Sequence, residues 1–234
     1  MKARPLHFLL VTGLVACALV GVRAQQKTPV PIPNPGVPQI MTLEDKYVRV
    51  SYNNEGYVSL GFRLAAGLVG QEWIMLETGM TVREGTPAQK IERTAISISV
   101  PGGGTVPLAT QQEYTVTDLR GIEMQSKVIH DSINYFPPSV RDACRLGYFA
   151  EMSSGTTAYD VVELSPIRGC VGRLYFKIPG GLKYGQHFLN VKFANSTVRV
   201  PFKIYTKEEE KFVDKNWKDI KKQVEASFKK KGGI

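Results

Sequence analysis

The chain has 234 residues, carries a formal charge of +9, and holds only three histidines and three cysteines. Outside an N-terminal leader two of each remain, too few thiols to close a zinc site and in no CxxC spacing. No zinc-finger, RNA-recognition or basic-region pattern accompanies the charge, so no nucleic-acid partner, metal or cofactor is expected.

Residues 1–24 read as a signal peptide. Lys2 and Arg4 form a positive start, Phe8 to Val22 an apolar run, and Val22-Arg23-Ala24 a cleavage site with small residues at −3 and −1. The run is about 15 residues, short of the roughly 20 that a membrane-crossing helix needs, so no transmembrane span is expected after processing. Leu14-Val15-Ala16-Cys17 also resembles a bacterial lipobox, which would make Cys17 a lipid anchor. The residues after Cys17 stay mostly apolar, which favours cleavage after Ala24. Either route exports the chain to the periplasm or the extracellular space. A charge of +9 less the leader's Lys2, Arg4 and Arg23 leaves +6, which suits solubility and admits contact with an anionic envelope surface.

Residues 25–41 contain Pro29, Pro31, Pro33, Pro35 and Pro38. Proline fixes φ and removes a donor, so an extended linker is predicted here. From 42 to 206 the pattern becomes one of strands. "YVRVSY", "AISISV", "HFLNVKF" and "TVRVPFKIY" alternate apolar and polar residues, and clusters such as Pro101-Gly102-Gly103-Gly104 punctuate them. The span from Tyr184 to Ile204 has the rhythm of the last hairpin of an immunoglobulin-like sandwich. The fold class expected is mostly β: an antiparallel Ig-like β-sandwich with a long loop-rich insertion and one C-terminal amphipathic α-helix. The apolar run Trp73-Ile74-Met75-Leu76 is read as core, and Asn195-Ser196-Thr197 is a glycosylation sequon at a bend.

The insertion falls at about 132–169, where alternation weakens and Pro137-Pro138, Ser153-Ser154-Gly155 and Ser165-Pro166 gather. Cys144 and Cys170 bracket much of it, and in an oxidising compartment they are expected to form a disulfide. Closing such a loop contributes roughly 3 to 3.5 kcal/mol by chain entropy. Irregular segments on a rigid scaffold concentrate binding residues. The candidate binding surface is accordingly Asp131, Tyr135, Arg141, Arg145, Glu151, Asp160 and Glu163.

His130-Asp131-Ser132 contains the residue types of a hydrolytic triad. Consecutive residues of an extended chain point to opposite faces, so these three cannot converge into a relay among themselves. No GxSxG elbow occurs, and His130 and His187 are expected as surface or half-buried strand residues. A carboxylate pair drawn from Asp131, Glu151, Asp160 and Glu163 is the remaining route to chemistry, namely glycan hydrolysis.

Residues 207–231 predict a helix. Thr206 and Glu209 form a capping box, and acids at 208 to 210 suit the positive helix start. Val213, Trp217, Ile220, Val224 and Phe228 make one apolar stripe. Such a stripe can cover a sheet edge, dock on a partner or a second copy, or lie on a membrane; the acids in the same span weigh against the last. With no complete catalytic constellation, no catalytic residue is assigned. The expected function is that of an exported non-catalytic binding or assembly protein of the cell envelope, with an exported carboxylate-dependent hydrolase acting on glycans as the alternative.

Overall fold

The computed structural model describes residues 36–150 and 155–231. Residues 1–35, with Cys17 and most of the proline-rich segment, Glu151 and the side chain of Phe228 lie outside the described residues.

The first elements are β1 (Ile40–Asp45), β2 (Val48–Tyr52), β3 (Gly56–Gly61), the short helix α1 (Arg63–Ala66) and β4 (Trp73–Val82). There follow β5 (Gln89–Glu92), β6 (Ile96–Ser99), β7 (Thr105–Pro107), and two helices, α2 (Gln111–Val116) and α3 (Arg120–Ser126). The chain continues with β8 (Asp142–Arg145), β9 (Val161–Leu164), β10 (Arg168–Lys177), β11 (Gly185–Lys192), β12 (Thr197–Ile204) and the long α4 (Lys207–Lys231). The protein is therefore mostly β with a C-terminal helix.

A six-stranded sheet runs β1-β2-β3-β4-β10-β8, a four-stranded sheet β12-β11-β6-β7, and β5 pairs with β9 alone. Neighbours are antiparallel except β8 and β10, which run parallel. The four-stranded sheet lies against the larger one where β12 packs on β2 and β3. Along β12 the residues Val198, Val200, Phe202 and Ile204 point inward and are fully buried, while Arg199, Pro201 and Lys203 between them are not. That strict period of two is what a strand with one wet face requires. At the open edge of β12 the side chain of Gln39 behaves as a peptide unit. Its Nε2 donates to Arg199 O at 2.7 Å and its Oε1 accepts from Arg199 N at 3.0 Å.

β4 reads differently because both its faces are covered. Ile74, Leu76 and Met80 are buried, and so are Met75, Gly79 and Thr81 on the opposite side. The cover on that side is the segment from α2 to β9. Its backbone crosses the sheet closely. A Cβ at Gly79 would lie 2.8 Å from Phe136 Cζ, and one at Gly169 would lie 2.8 Å from Phe136 Cε2. Only glycine on β4 and β10 lets this strap lie flat. Ser59 Oγ donates to Ile133 O at 2.8 Å and fixes it further.

The cystine joins Cys144 on β8 to Cys170 on β10, which face each other in register with Cα atoms 4.2 Å apart. It fastens one end of the strap to the sheet. The helices α2 and α3 stand where no helical period was expected. α2 is closed by a capping box in which Thr110 Oγ1 accepts from Glu113 N at 3.1 Å and Glu113 Oε2 accepts from Thr110 N at 2.9 Å.

α4 starts with the expected capping box, Thr206 with Glu209, and packs along β1. Lys46 donates to Asp214 at 2.6 Å and to Glu210 at 3.1 Å, and Tyr47 donates to the same Glu210. Val213 is buried, Trp217 lies 5.9 Å from the Arg49 guanidinium, and Ile220 and Val224 are half-buried. No helix among the described residues is long and apolar enough to cross a membrane.

Candidate functional site

Between the covered face of the large sheet and the segments above it lies a cavity of about 380 Å³. Its floor comes from paired strands. Glu77 on β4 and Arg173 on β10 occupy directly opposed register positions, and Tyr175 follows Arg173 on the same face. α2 supplies Tyr114 and α3 supplies Glu123, while the stretch after β8 supplies Leu146 and Phe149 beside Arg145.

The rings of Tyr114, Phe149 and Tyr175 form a closed triad with centroids 4.9, 4.9 and 5.1 Å apart. All three rings are buried. The Tyr114 hydroxyl lies 2.5 Å from Glu123 Oε1 and 2.8 Å from Ala150 O, and its ring packs on that of Tyr175. Arg173, two residues before Tyr175 on β10, keeps its positive charge near that phenol. Glu123, Tyr114, Tyr175 and Arg173 thus all line the wall, with a hydrogen bond between the first two. Burial, reinforced by Glu123, raises both phenols well above their ordinary value and keeps them protonated as donors.

Glu77 closes the other side. Its Oε2 accepts from the Asp131 amide at 2.5 Å. Burial pushes its carboxyl above the usual range, and the Asp131 carboxylate adds to that, against the pull of the amide, Arg173 and His130. Arg145 donates to Phe149 O at 2.6 Å, which holds its guanidinium against the cavity wall.

Of the described residues expected to form a binding surface, Arg145 alone lines this cavity. Asp131 is an anchor with a side chain only 1% exposed; its oxygens accept from Arg63 N and Arg63 Nε, both at 2.9 Å. Asp160 pairs with the buried Arg93 at 3.0 Å. Arg93 also donates to Ala109 O at 2.7 Å and to Tyr148 O, so this cluster pins the segment over the cavity. Glu163 is exposed on β9 opposite Lys90, Arg141 is exposed, and Tyr135 is half-buried. The structure therefore does not gather Asp131, Asp160 and Glu163 round the cavity; among the described residues its acids are Glu77 and Glu123.

Neither of the two described histidines joins the site. His130 is exposed. His187 corrects the expectation of a surface or half-buried position: it faces inward on β11, wholly buried, stacked on Phe202 at 5.2 Å. Its Nδ1 lies 3.0 Å from Gly185 O, and Nε2 has no hydrogen-bond partner. Among the described residues no group of three or more His, Cys, Asp or Glu side chains could hold a metal ion.

Glu77, Tyr114, Glu123, Arg173 and Tyr175 were missed in sequence. One signal was present, a single carboxylate inside the mostly apolar Trp73–Met80 run. No protein-family model, no curated protein and no solved structure matches the chain.

Proposed function

We propose that the protein is an exported, non-catalytic binding protein of the cell envelope, built on an immunoglobulin-like scaffold and using the cavity over β4 and β10 as its ligand site. The observation that carries this reading is the cavity itself, where a strap held by a disulfide, by Asp131 and by Arg93 encloses paired charges on rigid strands. Groups so held are preorganised, the property a binding site needs most. The disulfide supports an oxidising compartment. The inward position of His187 and the exposed one of His130 give no base to a serine or cysteine nucleophile. The C-terminal helix is the second contact element, offered to a partner or a second copy; Phe212, 64% exposed on its first half, supports that role.

The test is retention of small molecules from an envelope extract, read by mass spectrometry after gel filtration of the full chain. Ala150→Trp fills the cavity from its half-exposed rim. A compound retained by the wild type and lost by the folded variant supports the reading; identical retention by both sinks it.

One observation favours the hydrolase as a second reading. Glu77, with its carboxyl raised by burial, shares the cavity with Glu123, and an acid of raised pKa beside a second carboxylate is the arrangement glycoside cleavage uses. Turnover of a glycan panel that Glu77→Gln abolishes would establish it over the binding reading.

A further inference from the structure

Resting on the reading of α4 as a contact element, we infer that the first half of this helix pairs with the same segment of a second copy, the two helices antiparallel. The surface in question is a groove of about 460 Å³ where β12 gives way to α4, lined by Lys203, Tyr205, Glu208, Glu209, Phe212 and Val213. Val213 is buried there, whereas Phe212 is 64% exposed, a large ring left beside an open groove. Lys203 and Glu209 neutralise each other at 2.7 Å, which leaves Glu208 as the free charge of the groove. The ion pairs of the helix use Glu209, Glu210, Asp214, Lys221 and Glu225; Glu208 and Lys215 stand exposed outside them.

The order of charges selects the occupant. Glu208, Phe212, Lys215 and Asp219 recur at helical spacing and are all exposed, on the side of α4 away from Val213 and Trp217. The Glu208 carboxylate thus comes one turn before the Phe212 ring and the Lys215 ammonium about one turn after it. Two such helices turned end for end about a twofold axis beside Phe212 set each Glu208 against Lys215 of the other copy, and both pairs form together. A parallel pairing would set like charge against like. In the antiparallel one Phe212 enters the groove of the other copy, and the methylene stem of Lys211 covers the ring. The two helix dipoles also oppose each other. A surface whose halves complement each other about its centre fits a copy of itself; an unrelated partner makes no such demand.

The experiment is sedimentation velocity of the full chain across a concentration series, in low and high salt. A dimer is expected with a dissociation constant on the order of 100 µM or below, the range of small interfaces, and weaker in high salt. Phe212→Glu is expected to weaken it at least tenfold, with circular dichroism showing the fold kept. Glu208→Lys and Lys215→Glu each set like charges across the axis and are expected to weaken the dimer severalfold; combined in one chain they are expected to restore it. A monomer at every concentration overturns the second copy, and so does a dimer indifferent to Phe212→Glu. Weak single variants with no restoration in the double overturn the antiparallel pairing. A monomeric wild type that captures a different envelope protein, with capture lost in Phe212→Glu, gives this face to that protein: the second copy is overturned while α4 stands as a contact element. Retention of small molecules by the cavity is read apart from all of these outcomes.

Discussion

Asp131 shows how a single side chain can govern a whole segment. Its carboxylate takes both the amide and the Nε of Arg63, and its own amide holds Glu77 at the edge of the cavity. Asp131→Ala removes the first two bonds and leaves Arg63, itself partly exposed and still paired with Asp45. A loss of about 2 kcal/mol is expected by urea unfolding, since charged hydrogen bonds in part-buried sites contribute on that scale. His187 makes a different demand. Burial holds its imidazole below the ordinary value, and the Gly185 carbonyl offsets this only in part. The folded chain therefore takes up the proton later than the unfolded one. The stability of the neutral form is complete above about pH 6.5, the unfolded value, and is lost as pH falls toward the depressed folded pKa. His187→Phe, which can keep the stack on Phe202, should flatten that acid limb when midpoints at pH 7.5 and pH 5 are compared; an unchanged slope would show that other groups carry it.

At the scale of elements, the strands β6, β11 and β12 were legible in sequence because core residues alternate along each with polar or partly exposed ones. β4 was not, since cover on both sides removes the alternation and leaves an apolar run that reads only as core. α2 and α3 are too short to show a helical stripe, although Thr110 and Glu113 already spell a capping box. The cavity stayed hidden for another reason: Glu77 and Arg173 lie far apart in sequence and meet only through the pairing of β4 with β10. The strap depends on the bare backbone beneath it. Gly79→Val must displace Phe136 and is expected to speed limited proteolysis within 131–140 severalfold, with the sheet itself still folded by circular dichroism. The cystine holds the same segment from its far end. Cys144→Ala with Cys170→Ala should cost roughly 3 kcal/mol by the loop-entropy scale, measured as the shift in denaturant midpoint under oxidising conditions.

For the molecule as a whole, α4 is an appendage with a firm root. Val213 and Trp217 cover the β1–β2 corner through Tyr47, Lys46 and Arg49. Removing residues 207–234 should leave the two packed sheets folded while lowering stability by roughly 2 to 4 kcal/mol, the scale of re-exposing two large apolar side chains. Thermal unfolding beside gel filtration reads both the loss and any change of oligomeric state. The six-stranded sheet is thus guarded at β1 by the helix. The smaller sheet has a slighter guard at β12, the amide of Gln39 seated on Arg199. A plug of one residue can be drawn by tension on the incoming chain or by a cut near it. Once it is out, the bare rim of β12 becomes a template on which an extended strand from another molecule can zip, turning a four-stranded sheet into the first layer of a polymer.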